Sequence, residues 1–281
     1  TSPSIVQSAG AAAAGTNTSR DQARRYGSML RGKGGGISFF DEMTGHDGGT
    51  RAPYRDYCGW FETEDVARIQ HKAVQAEALF RTTGITFNVY GAADGDERLI
   101  PFDVVPRIIS AGEWRRLSRG IEQRVRALNA FLYDIYHRQE ILRAGRVPTD
   151  LIAGNAAFLP MMMGLDPPGG IYTHISGTDI VRTGANEFYV LEDNARTPSG
   201  VSYMLENRET MLQMFPELFA KVAVREVSDY PINLLKSLSA CAPPACTGIP
   251  TVAILTPGIH NSAYYEHSFL ADHMGAELVE G

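Results

Sequence analysis

Residues Thr173 to Arg196 read THISGTDIVRTGANEFYVLEDNAR, and this stretch organises the chain. Two runs rich in β-forming residues flank a short polar turn, a pattern typical of a β-hairpin. A loop from Gly184 to Glu187 would have four residues, a common hairpin length. That register predicts that Thr183 lies opposite Phe188.

The same register, counted outward, places Asp179 opposite Glu192. Side chains alternate along a strand, so Glu192 and Asn194 share one face and Asp193 points to the other. Directly opposed like charges are destabilising, so two facing carboxylates beside an amide oxygen suggest a bound cation. Three oxygen ligands favour a hard ion such as Mg²⁺. A solvent-facing hairpin whose Asp193-Asn194 pair merely ends a strand remains the alternative.

The segment that follows the hairpin, from Arg196 to Ser202, is small and polar. Such a loop lets backbone amides approach phosphate oxygens. If the strand continues, Arg196 shares the face of Glu192 and Asn194. Its planar guanidinium suits a phosphate or a carboxylate.

The spacing of Asp179, Glu192 and Asn194 resembles the magnesium-binding hairpin of ATP-grasp ligases. The wider chain resembles the circularly permuted ATP-grasp type 2 family, which is related to the synthetase domain of glutathionylspermidine synthetase. The segments that carry this resemblance are Phe40–Met43, Gly84–Phe87, Leu99–Asp103, Asn129–Tyr136, Leu191–Asn194, Leu205–Arg208 and Thr256–Gly258.

The resemblance implies a mixed α+β and α/β fold that is circularly permuted and truncated. We expect a disordered tail or linker over 1–35 and an ATP-grasp-like catalytic half over 36–245, with helices and an antiparallel sheet. We expect the start of a parallel, pre-ATP-grasp-like βαβ domain over 246–281. In this family the lobe that clamps adenine follows the segment present here, so the chain resembles roughly the first half of a ligase.

The activity that the resemblance implies is ATP-dependent carboxylate–amine ligation through an acyl phosphate. Its cofactors would be ATP and Mg²⁺, with Asp179, Glu192 and Asn194 as metal ligands. Its substrates would be a small-molecule or peptide carboxylate and an amine. Arg196 would be the catalytic residue that stabilises the transferring phosphoryl group.

The phosphate site departs from related synthetases at Gly177. Those enzymes often carry an arginine two positions before the first metal-binding aspartate. That phosphate-binding role is then either absent or taken by Arg196 or Arg182, with Ser199 and Gly200 shaping the rest of the ATP site.

Two other classes of function remain open. One is a catalytically silent ATP-grasp relative that serves as a binding or assembly module, which the glycine at position 177 favours. The other is a metal-dependent hydrolase that uses the same carboxylates and would turn over without ATP.

The composition argues against nucleic-acid and membrane partners. The chain has 281 residues, of which 44% are apolar and 21% charged, an ordinary globular composition. Its net charge of −6 argues against a nucleic-acid partner, because phosphate binding needs a concentrated basic surface. No apolar run approaches the roughly 20 residues that a membrane span needs, so we expect no membrane partner.

The three cysteines are Cys58, Cys241 and Cys246. Their odd number and spacing fit neither a disulfide framework nor a Cys-x-x-Cys zinc site. We therefore expect reduced thiols and a cytoplasmic location.

The flanking sequence predicts several helices and strands. A helix capped by Thr63 should end at Gly84. Its apolar stripe would consist of Val66, Ile69, Ala73, Ala76 and Phe80. The capping box of Ser110 and Glu113 should start a long amphipathic helix. A helical run from Tyr203 should be interrupted at Pro216. Strands near 251–255 and 277–279 around a helix predict a βαβ unit.

Overall fold

The computed structural model describes residues 40–45, 48–88 and 97–281, so the predicted tail over 1–35 lies outside the described residues. The described helices, in chain order, are α1 Arg55–Phe61, α2 Val66–Thr83, α3 Ala111–Tyr136, α4 Glu140–Arg143, α5 Thr149–Ala153, α6 Val201–Met214, α7 Pro216–Lys221, α8 Tyr230–Ala240 and α9 Tyr264–Met274. The described strands are β1 Thr86–Asn88, β2 Glu97–Leu99, β3 Gly177–Gly184, β4 Glu187–Asn194, β5 Ala253–Thr256 and β6 Glu277–Glu280.

An aromatic cluster forms the core between α1 and the α6–α7 junction. Tyr57 and Trp60 of α1 lie with Tyr54, Phe215 and Leu218 in one buried group. The rings of Trp60 and Phe215 meet edge to face with centroids 5.3 Å apart, a favourable arrangement for aromatic pairs. This cluster joins the start of the described chain to the helices that follow the hairpin.

Helix α2 follows the predicted pattern closely. Ala76 and Phe80, two members of the predicted apolar stripe, are buried. Gly84 ends the helix in the left-handed conformation that glycine tolerates, as predicted. The N-cap is Asp65 rather than Thr63, because the Asp65 carboxylate accepts from the Ala67 backbone N–H.

The capping box at the start of α3 is confirmed. Ser110 and Glu113 satisfy each other's backbone amides, and the helix runs for 26 residues. Glu113 and Arg124 are separated by about three helical turns, so they face the same side of α3. Both side chains reach the hairpin formed by β3 and β4.

The hairpin pairs Asp179 with Glu192, as predicted, although its middle is out of register with the prediction. Gly184 pairs with Glu187, which leaves a two-residue turn. Phe188 pairs with Arg182, so the expected pairing of Phe188 with Thr183 is wrong.

Two bulges explain this outcome. Thr183 is an extra residue on β3, and Leu191 is an extra residue on β4. Each bulge shifts the register by one residue, and the two shifts cancel. The outer end of the hairpin therefore returns to the register that simple counting predicts.

Strands β5 and β6 pair in parallel and are connected through α9, which confirms the predicted βαβ unit. Helix α9 contacts both strands, and it also contacts α6 and α8. The antiparallel hairpin and these helices give a mixed helix-and-sheet fold. The assignment of the βαβ unit to a pre-ATP-grasp domain stays a prediction.

A buried guanidinium connects three parts of the chain. The Arg182 side chain has no exposed surface and pairs with Glu42 (3.2 Å) and with Glu113 of α3. It also donates to the carbonyls of Gly184 (3.0 Å) and Ala185 (2.6 Å). Every nitrogen of the guanidinium is thereby used.

The capping carboxylate of Glu113 titrates far below its ordinary range. Burial alone would raise the pKa of Glu113, but hydrogen bonds from Ser110 and Arg182 and the charge of Arg182 lower this pKa to about 2. A depressed folded-state pKa stabilises the fold above the ordinary pKa of 4.5, and this contribution is lost as the pH falls from 4.5 toward 2.

We predict that Glu113→Gln lowers the free energy of unfolding at pH 7 by about 3 kcal/mol, the typical cost of removing one partner from a buried ion pair. Urea denaturation with linear extrapolation measures this. The difference from the wild type should shrink as the pH falls from 4.5 toward 2.

The matched control is Glu140→Gln, because Glu140 pairs with Arg138 on the surface, with side chains 68% and 79% exposed. That change should cost less than about 1 kcal/mol. Equal costs for the two variants would contradict the buried network.

Candidate functional site

The outer face of the hairpin gathers the three residues that were predicted to hold a metal. Asp179 lies opposite Glu192, and Asn194 is two residues further along the same strand. All three side chains are exposed. The Asn194 amide N–H donates to a Glu192 oxygen at 3.3 Å, which leaves the amide oxygen for a ligand.

This set fits a magnesium ion by its chemistry, because each available atom is an oxygen. Within the residues that the structure describes, no group of three or more His, Cys, Asp or Glu side chains could hold a metal ion. The hairpin set has only two such side chains, with an amide as its third member. Its role as a metal site therefore stays a prediction.

The inner face of the hairpin has a separate structural role. Asp193 points away from Glu192 and Asn194, as predicted, and it pairs with Arg124 of α3 at 2.5 Å. The Thr178 hydroxyl donates to the same carboxylate at 3.1 Å. Asp193 thus attaches the hairpin to helix α3 through its ion pair with Arg124.

Asn129 of α3 fixes the segment that leads into β3. Its side-chain oxygen accepts from the backbone N–H groups of Tyr172 (2.7 Å) and Thr173 (2.9 Å). Helix α3 therefore contacts the hairpin and its approach through Glu113, Arg124 and Asn129. These contacts hold the inner face and leave the outer face accessible.

The structure does not support the phosphate-binding role expected for Arg182. Its guanidinium is buried and engaged by Glu42 and Glu113. It also lies over the rings of Phe188 (4.9 Å) and Phe40 (5.2 Å). A phosphate could reach it only after this network had opened.

Arg196 and Ser199 are exposed in the loop after the hairpin. Strand β4 ends at Asn194, so strand alternation does not place Arg196 on the metal face as we expected. Among the described residues Arg196 has no ion-pair partner within 4.0 Å. Its guanidinium therefore remains available for a ligand.

Pro198 in this loop packs against Gly177, the first residue of β3. A Cβ atom added at Gly177 would lie 3.0 Å from the Cβ of Pro198, which is closer than side chains normally approach. The close approach of the loop thus favours glycine at this position, because a larger residue would have to displace Pro198. It gives a physical reason for the absence of the arginine that related synthetases often carry there.

The backbone N–H of Gly200 has a partner that the sequence did not reveal. It donates to the carboxylate of Glu266 of α9, at 2.8 and 2.7 Å from the two oxygens. We expected this N–H to face a phosphate, and the structure gives it a protein carboxylate instead. Of the four residues that were expected at the phosphates, namely Arg182, Arg196, Ser199 and Gly200, Arg196 and Ser199 are exposed.

Exposed apolar side chains lie on the hairpin near Asp179, Glu192 and Asn194. Val181, Tyr189 and Leu191 are 37%, 57% and 67% exposed. The outer face thus combines exposed side-chain oxygens with apolar surface.

Residues 106–281 match the protein family described as circularly permuted ATP-grasp type 2. This match covers more than half of the chain and agrees with the hairpin geometry. The chain belongs to the circularly permuted ATP-grasp type 2 family.

Several curated relatives share most of this sequence. The chain is 48% identical to an uncharacterized protein of Synechocystis over 247 residues, which are 87% of the chain and 50% of the relative. It is 47% identical to an uncharacterized protein of Mycobacterium tuberculosis, over 86% of the chain and 43% of the relative. The chain thus spans about half the length of these relatives.

A further relative carries a functional name. The chain is 39% identical to a protein of Frankia alni named putative glutamate–cysteine ligase, over 86% of the chain and 28% of the relative. Because the matched part is little more than a quarter of that protein, its name alone does not assign the substrates of this chain.

The structure also bears on the expectations about membrane-spanning segments and cysteines. No described helix is long and apolar enough to cross a membrane. Cys58, Cys241 and Cys246 are all free thiols, as predicted. The cytoplasmic location stays a prediction.

The residues that connect the site to the fold were not identified from the sequence as partners. Glu113 was recognised only as a cap, and its pairing with Arg182 joins residues 69 positions apart. Glu266 gave no signal, because its acceptor role depends on the placement of a distant loop. Asn129 lies in a segment of the family resemblance, but its anchoring role became visible only in the structure.

We predict that Gly177→Ala lowers the free energy of unfolding by about 1 kcal/mol, because the new methyl group overpacks against Pro198. The matched control is Gly120→Ala in the middle of α3, where an added Cβ meets nothing within 4 Å. That change should raise stability by about 0.5–1 kcal/mol, since alanine favours a helix over glycine. Chemical denaturation measures the free energy of unfolding of both variants. If both substitutions changed it in the same direction, the close approach of Pro198 to Gly177 would be contradicted.

Proposed function

We propose that this chain provides the metal-binding part of an ATP-dependent carboxylate–amine ligase. The observation that carries the proposal is the exposed pair of facing carboxylates, Asp179 and Glu192, with Asn194 beside them in a chain of the ATP-grasp family. In the proposed reaction the γ-phosphoryl group of ATP passes to a substrate carboxylate, which forms an acyl phosphate. An amine then attacks the acyl carbon, an amide forms, and phosphate leaves.

Asp179, Glu192 and Asn194 would hold Mg²⁺ through their side-chain oxygens. Bound Mg²⁺ would supply charge neutralisation at the β- and γ-phosphates, which is much of what phosphoryl-transfer catalysis requires. Arg124 supports this arrangement from behind, since it draws Asp193 to the inner face. The outer face of β4 would thus bind the metal, while its inner face attaches the hairpin to α3.

Arg196 would bind the transferring phosphoryl group, because its guanidinium is exposed in the loop that follows the metal ligands. A planar guanidinium with several donors matches phosphate oxygens well. Ser199, exposed in the same loop, would donate a hydroxyl hydrogen bond to the phosphate or acyl-phosphate oxygens. The proposal does not use Arg182 or the Gly200 amide, because both have protein partners.

The printed name of one relative indicates which substrates to test first. The name of the Frankia alni relative makes glutamate the first carboxylate to test and cysteine the first amine. Peptide carboxylates and other amines form the wider panel, because a fold hosts many substrates.

We predict that Glu192→Gln weakens the binding of MgATP at least roughly tenfold, since even outer partners of metal ligands cost 10–100-fold. Isothermal titration calorimetry on the protein at its natural length, at fixed Mg²⁺, measures this. The matched control is Glu187→Gln, another exposed carboxylate on β4, about 17 Å along the strand from Glu192. The proposal is wrong if the folded wild type shows no Mg²⁺-dependent ATP binding, or if both variants bind like the wild type.

Ligation itself is tested by trapping the acyl phosphate with hydroxylamine. The natural-length protein should convert glutamate, or another carboxylate of the panel, into a hydroxamate with one ADP released for each hydroxamate. Glu192→Gln should abolish the product, and Glu187→Gln should retain it. Turnover without ATP would favour the metal-dependent hydrolase. ATP binding without any product across the panel would favour the silent binding module.

A further inference from the structure

A buried carboxylate of the βαβ unit, that of Glu266, accepts hydrogen bonds from the start of helix α6. The Glu266 side chain is on α9, and the residue is only 5% exposed. Its oxygens accept from the backbone N–H of Gly200 and from that of Ser202 (3.3 Å). The Ser202 hydroxyl donates to the same carboxylate at 3.0 Å. Hydrogen bonds to a charged carboxylate are stronger than neutral ones.

The position of this contact connects it to the candidate site. Gly200 and Ser202 directly follow the loop that carries Arg196 and Ser199, and this loop directly follows Asn194 at the end of β4. A helix N-terminus presents N–H groups without helical partners, and a carboxylate there satisfies them and matches the helix dipole. Glu266 therefore holds the C-terminal end of the loop in place.

The loop is also held at a second point, where Pro198 packs against Gly177. The loop is thus attached at one point to the metal hairpin and at another to α9. Between and beside these attachments, Arg196 and Ser199 remain exposed. This arrangement limits the positions that the two side chains can take relative to Asp179 and Glu192.

The surroundings of Glu266 are aromatic. Burial, followed by the negative charge of Glu266, raises the pKa of the Tyr203 and Tyr230 hydroxyls. Tyr265, the residue before Glu266, donates to Glu206 of α6 at 3.0 Å. Helix α9 therefore contacts α6 through two successive residues, Tyr265 and Glu266, so movement of α9 would move the start of α6.

We propose that Glu266 is a positioning residue that couples the βαβ unit to the phosphate-binding loop, so that Arg196 is held where it meets a nucleotide at the metal hairpin. The inference rests on the proposed function, because it concerns the placement of the same ATP phosphates. Glu266 itself touches neither ATP nor metal in this mechanism. Its effect on ATP passes through Gly200, the loop and Arg196.

The first experiment measures, without any nucleotide, how strongly Glu266 protects the backbone N–H groups of Gly200 and Ser202. Amide hydrogen exchange at Gly200 and Ser202 should accelerate at least roughly tenfold in Glu266→Ala, because each charge-assisted bond is worth about an order of magnitude. Glu277→Gln is the control, since Glu277 is an exposed carboxylate of the same βαβ unit. Unchanged exchange in a folded Glu266→Ala would overturn the inference, whatever the protein binds.

The second experiment measures coupling to Arg196 by calorimetric titration with MgATP. We expect Glu266→Ala and Arg196→Ala each to weaken MgATP binding about tenfold, in line with the loss of a hydrogen bond to a charged group. The double variant should bind hardly more weakly than Arg196→Ala alone, because Glu266 acts through that side chain. Glu277→Gln should bind like the wild type.

The outcomes separate the two proposals. If the wild type binds MgATP and the two changes are additive, Glu266 only supports the fold, and this inference fails while the proposed function stands. If the folded wild type does not bind MgATP, both fail. If Glu266→Ala does not fold, Glu266→Gln and Ser202→Ala replace it, since each removes part of the contact and keeps the shape. These variants should give smaller losses that again vanish in the Arg196→Ala background.

Discussion

The structure depends on the neutralisation of one buried cation. The Arg182 guanidinium has no exposed surface, so it needs negative partners at short range, and Glu42 and Glu113 supply them. A buried charge left without its partner is costly, so the three contributing segments must come together. The early segment, the first turn of α3 and the inner face of the hairpin are thereby joined. The opposite face of the hairpin stays accessible for the proposed metal.

Glu113 connects local and tertiary structure within one side chain. Its carboxylate accepts from the Ser110 backbone, which starts the longest described helix, and it also accepts from Arg182. The helix that begins there then carries Arg124 to Asp193, so the correct start of α3 sets where the hairpin can dock. Glu266 has a comparable role at the start of α6, where the cap comes from another part of the chain. Both helix starts next to the site are therefore fixed by carboxylates.

Local chemistry carried most of what could be predicted. The capping box, the Gly84 stop and the βαβ order follow from backbone needs that a short window of sequence reveals. The hairpin register predicted the facing of Asp179 and Glu192, and the family resemblance, which the family match supports, added their expected role in binding Mg²⁺. The partners of Arg182 and Gly200 could not be predicted, because they lie 140, 69 and 66 residues away, and sequence spacing contains no signal for such contacts. Those contacts explain why the Arg182 guanidinium and the Gly200 N–H, both expected at the phosphates, have protein partners in the structure.

The two bulges of the hairpin have an evolutionary consequence. Thr183 and Leu191 each add one residue to a different strand, and only together do they preserve the facing of Asp179 and Glu192. Losing either residue alone would shift the register by one and turn part of a strand over, which would expose apolar side chains and bury polar ones. A viable descendant must therefore keep both extra residues or lose both. Among relatives of this chain, insertions and deletions at these two positions should be inherited as a linked pair.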